Sequence, residues 1–113
     1  MKFLALIYSV EDQDDVDFET LIEQYTALEE EMQREGLVYS GNALQPVSTA
    51  TSLKLRDGKA EILDGPFAET KEQLGGYYLF DCDTLDEALK WAAKIPSARY
   101  GTIEVRPVMD FEE

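Results

Sequence analysis

Five side chains in this sequence have the chemistry to hold a ligand: Tyr8, Tyr25, Asp64, Lys71 and Arg106. A tyrosine ring stacks on an aromatic ligand and brings a hydroxyl with it. The Arg106 guanidinium could grip a carboxylate or phenolate through paired donors. Asp64 could accept a proton. Each also has a plainer role: Tyr8 and Tyr25 as core residues, Arg106 as a partner of Glu104 or another local acid, Asp64 as the closure of its own turn, Lys71 as a solvated helix residue. The usual signs of catalysis are missing. The chain has no histidine, which removes the commonest general acid-base group and metal ligand. Cys82 is its one cysteine, so neither an intrachain disulfide nor a thiolate zinc site is expected. Cys82 falls in an apolar run without a basic neighbour and reads as a core residue. No nucleophile–base pair, P-loop or metal cluster is present, so no catalytic residue, cofactor or metal is assigned.

Two of the five belong to the stretch that organises the chain, DGPFAETKEQLGG at residues 64–76. Pro66 presets φ for a turn, and Gly65 tolerates the extended or positive φ of a pre-proline position. The Asp64 carboxylate is expected to close the turn by accepting from a backbone N–H just ahead. Thr70-Lys71-Glu72-Gln73 has the spacing of a capping box. It predicts one helical turn, stopped by Gly75-Gly76. The stretch therefore reads as an ordered loop, either a connector or the wall of a site.

The flanking elements must position these groups. Residues 2–8, KFLALIY, are apolar on both alternating faces and predict a central strand, covered on both sides. The acidic run at 11–17 reads as a solvated loop; it lacks the glycine and terminal glutamate of a calcium loop. A helix is predicted over 18–35, with Phe18, Leu21, Ile22, Tyr25, Leu28 and Met32 as one buried stripe and Gly36 as its stop. Residues 37–43 read as a second strand. Residues 51–56 and 59–64 form a hairpin around Asp57-Gly58, the favoured pair for a type I′ turn. That turn sets Leu55 opposite Ala60, Leu53 opposite Ile62 and Lys54 opposite Glu61. Residues 77–82 are again apolar on both faces, apart from Asp81, and predict a second central strand. Thr84-Leu85-Asp86-Glu87 is another capping box. It opens a helix with Leu85, Ala88, Leu89 and Ala92 on one stripe and Pro96 at its end. Residues 102–108 alternate as an edge strand, which Pro107 suits.

Without the hairpin this order is βαββαβ, a ferredoxin-like α+β unit. Two helices cover one sheet face. The apolar residues on the other face still need cover, which a second copy of the chain would supply, so a homodimer is expected. The chain has 113 residues, which suits a single domain over 1–113. Twenty-four acidic residues against ten basic ones give a formal net charge of −14. That disfavours nucleic acid and anionic membranes, and it suits a basic protein partner. The N-terminus runs straight into a strand and no apolar run reaches spanning length, so a cytoplasmic location is the default expectation.

From Asp64 through Tyr78 the chain resembles the DGPF-domain branch of the YCII-related family. Ala43-Leu44-Gln45-Pro46, the helix segment ALKWAA at 88–93 with Ile95-Pro96, and IEVRPV at 103–108 are similar to that branch too. The resemblance covers nearly the whole chain. It implies a dimeric α+β barrel in which two sheets pack face to face. Other branches carry a helix-1 histidine proposed to act with an aspartate; counted back from Gly36, its place falls on Tyr25. That chemistry does not carry over to a chain without histidine. Members of the DGPF branch are often encoded near extracytoplasmic-function sigma factors, which implies a role around transcription initiation. The expectation is thus a small protein that binds a small aromatic or anionic ligand in a dimeric barrel. The alternatives are a module for a sigma factor or other basic partner, or an enzyme acting on a small aromatic compound without histidine.

Overall fold

The structure is a computed structural model that describes residues 1–11 and 16–111. Its elements run β1 (Lys2–Ser9), α1 (Phe18–Arg34), β2 (Val38–Ala43), β3 (Thr51–Arg56), β4 (Lys59–Asp64), β5 (Gln73–Asp81), α2 (Leu85–Ala92) and β6 (Thr102–Pro107), with short 3-10 turns at Val47–Thr49 and Pro96–Arg99. Most of the acidic loop expected at 11–17 lies outside the described residues. Strands β2, β5, β1 and β6 form one antiparallel sheet in that order, and β3 and β4 form a separate two-stranded sheet. This is a mixed α+β architecture, compatible with a ferredoxin-like fold.

The two strands that read as apolar on both faces, β1 and β5, are the central pair. Phe3, Ala5 and Ile7 from β1 and Tyr78 and Phe80 from β5 point to one side. There they are buried with Leu28 and Met32 of α1, Ala88, Trp91 and Ala92 of α2, and Ile95. Cys82 joins this core, as expected. Alternation sends Leu4, Leu6, Tyr8, Tyr77 and Leu79 to the opposite face, where no helix lies among the described residues. These residues are only half-buried. Pro107 sits on the edge strand β6, opposite Phe3.

Both helix ends follow local chemistry. The Asp17 carboxylate accepts from the Glu19 N–H at 3.3 Å and the Thr20 hydroxyl at 2.7 Å. At the other end Gly36, at φ +75°, donates to the Gln33 carbonyl, and Leu37 donates to that of Met32. This is the paired closure that a left-handed glycine permits. The predicted α1 stripe is buried only in its C-terminal half; Phe18 and Ile22 are exposed, because nothing among the described residues reaches over them. In α2 the Thr84 hydroxyl accepts from the Glu87 N–H at 3.1 Å. Its buried stripe is Ala88, Trp91 and Ala92, while Leu85 and Leu89 face solvent. The helix ends at Ala92, and Pro96 opens the 3-10 turn that follows.

The hairpin register matches the expectation pair by pair: Leu53 faces Ile62, Lys54 faces Glu61, and Leu55 faces Ala60. Asp57 and Gly58 have φ of +52° and +76°, the left-handed pair of a type I′ turn.

The helical turn expected at Thr70–Gln73 is not formed. Gln73 already belongs to β5 and pairs with Ser9. The Thr70 hydroxyl donates to the Glu72 carbonyl at 2.6 Å instead of accepting as a cap, and the Gln73 side-chain amide donates back to the Thr70 carbonyl at 2.9 Å. Strand pairing with β1 outweighs the local signal. Gly75 and Gly76 therefore lie inside the strand, with a bulge where Ile7 pairs with Gly76 and Tyr8 with Leu74.

Candidate functional site

Two arrangements of side chains have chemical potential, one on each side of the sheet. The first lies between α1 and the β2 edge. Tyr25, Glu29 and Gln33 recur every four residues and so share one flank of α1. Facing them are Tyr39 of β2 and Tyr78 of β5. The Tyr78 ring lies over Gly41, where an added Cβ would stand 2.6 Å from ring carbon Cδ1. Its hydroxyl donates to Glu29 Oε2 at 2.9 Å, and the Tyr39 hydroxyl donates to Glu29 Oε1 at 3.4 Å. The Gln33 amide donates to the Tyr39 oxygen at 3.0 Å. The Tyr25 hydroxyl is 2.7 Å from Ser97 Oγ. The Tyr25 and Phe80 rings stack on Tyr78 at centroid distances of 6.3 and 5.8 Å, and Tyr39 meets it edge-on at 6.1 Å. Burial pushes the Tyr78 phenol well above its ordinary value, and the hydrogen bond to Glu29 and the negative charge there push it further. Burial also raises Tyr25, against the opposing effect of its bonds to Ser97. The cluster therefore holds neutral phenols against a carboxylate.

The second arrangement is the uncovered sheet face. Leu4 and Leu6 lie beside Leu79 and Tyr77, and the bulge at Gly75 returns Leu74 to this face opposite Tyr8. On the β6 side, Arg106 lies opposite Leu4, Glu104 opposite Leu6 and Thr102 opposite Tyr8. On the β2 side, the Asn42 amide donates to the Tyr77 hydroxyl at 2.9 Å. Among the described residues the Arg106 guanidinium makes no ion pair, with Glu104 or any other acid. The result is an apolar floor with two phenols, an amide, a carboxylate and a cation around it.

The five residues singled out in the sequence do not converge. Tyr8 and Arg106 share the uncovered face, near opposite ends of the β1–β6 pairing. Tyr25 packs against the core on the other side of the sheet, so the two tyrosines cannot sandwich one ligand. Asp64 ends β4 opposite Thr51, and Lys71 lies in the exposed loop before β5. Asp64 does not close the turn, and its carboxylate accepts no hydrogen bond among the described residues. Gly65, at φ +103°, donates to the Ala50 carbonyl at 2.6 Å, and the Ser52 hydroxyl donates to the Gly65 carbonyl at 2.8 Å. The closure comes from across the hairpin, not from the side chain beside it.

Sequence reasoning passed over Glu29, Gln33, Tyr39 and Tyr78. The four-residue spacing from Tyr25 to Glu29 to Gln33 was a usable signal. The pairing of Glu29 with Tyr78 needed the position of α1 over β5.

A shallow cleft of about 220 Å³ lies elsewhere, at the C-terminal ends of α1 and β5. Glu35, Asp81, Asp83 and Glu87 line it beside Lys90 and Cys82. The thiol of Cys82 is raised by burial first, and by the nearby Glu87 charge. None of the five candidate residues reaches this cleft.

With this sheet order and the two helices on one face, the chain matches the YCII-related domain over residues 1–112, and it belongs to that family. It is also similar to an uncharacterised protein of Rhizobium meliloti (strain 1021), at 49% identity over 67 residues. That match covers 58% of this chain and 54% of the relative, so the chain spans about half the length of the curated relative it matches. No helix among the described residues is long and apolar enough to cross a membrane.

Proposed function

We propose that this protein binds a small aromatic or anionic ligand in a dimeric α+β barrel, formed when two copies meet across the uncovered sheet face. One observation carries the reading: Arg106, which makes no ion pair among the described residues, shares a face with Leu4, Leu6 and Leu79, with Tyr77 one row further along and Tyr8 towards the far end. Small-molecule sites are mostly apolar, with a few polar groups that fix orientation. A guanidinium supplies the paired donors that a carboxylate needs. The floor is open in one copy, so a second sheet is needed to enclose a ligand. The test uses 4-hydroxybenzoate as a probe for the aromatic-anion class, read by thermal shift and titration calorimetry. Binding to the wild type that is lost in Arg106→Gln is expected. No binding at millimolar probe, or equal binding by both proteins, would sink the reading.

A second reading rests on charge. The formal net charge of −14 and the acidic walls of the Glu35–Glu87 cleft favour a basic protein partner, such as an extracytoplasmic-function sigma factor. Reaction on a small aromatic compound without histidine would instead draw on the Tyr78–Glu29 pair, the half-buried proton donor and acceptor that this chain carries near Tyr25.

A further inference from the structure

We infer that the β3–β4 hairpin is an arm that docks on the second copy of this chain and helps hold the dimer together. The inference rests on the dimeric reading above and adds a contact to it.

The type I′ turn fixes the register, and the register sorts the side chains. Thr51, Leu53, Leu55, Ala60, Ile62 and Asp64 share one face; Ser52, Lys54, Arg56, Lys59, Glu61 and Leu63 share the other. The first face is apolar except at its base. Nothing among the described residues covers it: Leu53, Leu55 and Ile62 are 60%, 64% and 66% exposed. A two-stranded hairpin alone in water is at best marginally stable. This one is closed at its root by the Gly65 and Ser52 hydrogen bonds, which tie its two sides together.

Three observations select a second copy as the occupant. The chain has another uncovered apolar surface, on its central strands, so two copies each bring two surfaces that need cover. The arm's apolar face carries no charge beyond Asp64 at its base. That is what an interface between two strongly acidic copies requires, since like charges brought together there would repel. The area is also adequate. Three large side chains at this exposure leave on the order of 350 Å² of apolar surface per arm, in the range of the largest patch on a typical monomer, which is often functional. Two arms, each against an equal area, bury on the order of 1,400 Å², within the range of a standard interface.

The test is the double variant Leu53→Lys, Ile62→Glu. The two positions are cross-strand neighbours, so opposite charges keep a favourable pair in the hairpin while removing its apolar face. Sedimentation across a concentration series reads the dimer dissociation constant. Hydrogen exchange of the wild-type hairpin amides, above and below that constant, reads the arm itself. A dimeric wild type, a dissociation constant raised at least about tenfold in the variant, and hairpin amides protected only in the dimer are expected. A dimeric wild type whose hairpin amides exchange equally fast at all concentrations overturns the arm and leaves the barrel standing. So does an unchanged dissociation constant in the variant. A monomeric wild type overturns both.

Discussion

Glu29 accepts from two phenols, and this decides how the fold meets alkaline solution. An unfolded tyrosine ionises near pH ~10. In the folded chain Tyr78 holds its proton to higher pH, because burial and the Glu29 carboxylate disfavour the phenolate. Below pH ~10 both states keep the proton, and the contribution to stability is fully present. As pH rises past that value the unfolded state loses its proton first, so stability falls. Melting temperatures from pH ~8 to ~11 should therefore drop for the wild type and drop less steeply for Tyr78→Phe. Parallel curves would mean that Tyr78 ionises as freely folded as unfolded. The ordinary cost of the substitution, about 1 kcal/mol for one hydrogen bond, offsets the curves without changing their slopes. This cluster was half legible. The spacing of Tyr25, Glu29 and Gln33 places them on one flank of a helix, but only the sheet register shows that Tyr78 and Tyr39 meet them. Asp64 shows the opposite case. Its position before Gly65-Pro66 is a strong local signal, yet Ser52, thirteen residues before Gly65, makes the closing bond.

Elements whose cues were short-ranged and mutually consistent were legible. The hairpin followed from two residues, because a type I′ turn fixes every pair behind it. The central position of β1 and β5 followed from apolar residues on both faces. The Thr70 capping box failed because an edge of β1 was available to pair with Gln73 and Leu74, and the sequence does not show that edge. The α1 stripe failed in its first half for a related reason: periodicity finds an apolar face, not what covers it. Gly75-Gly76 reads as a stop in the sequence but lies inside β5, while Gly41 falls in the strand where it is expected. Gly41 is required because Tyr78 packs over it, and an added Cβ would also stand 2.5 Å from the Tyr77 carbonyl oxygen. Backbone cannot yield as a flexible side chain can. Gly41→Ala should thus destabilise the chain by about 2 kcal/mol, at the upper part of the common range for single substitutions. Urea unfolding checks this, and a change under about 0.5 kcal/mol, the range of neutral surface substitutions, would show that β2 can shift freely.

One copy of the chain is broad and thin, with extents of 49 × 47 × 18 Å and a radius of gyration of 16.2 Å. A compact chain of this length would have a radius near ~13 Å. The excess reflects the hairpin standing away from the sheet, and the thinness reflects a single helix layer over a single sheet. Stacking two copies through the uncovered faces would restore ordinary proportions. Association must then overcome electrostatics, because each copy carries a formal net charge of −14. Like-charged bodies repel over distances set by the Debye length, ~30 Å at 0.01 M salt and ~3 Å at 1 M. The sheet face and the hairpin face are mainly apolar, and burial of apolar surface is not weakened by this screening. Salt should therefore remove repulsion and leave attraction in place. The dimer dissociation constant should fall as sodium chloride rises from about 0.02 to about 0.5 M, where the Debye length shortens several-fold. Sedimentation equilibrium at each salt concentration measures it. A constant that rises with salt would reverse the argument. It would mean that ion pairs across the interface, with Arg106 the first to consider, contribute more than the apolar faces, and that Arg106 is occupied by the second copy instead of being open to a ligand.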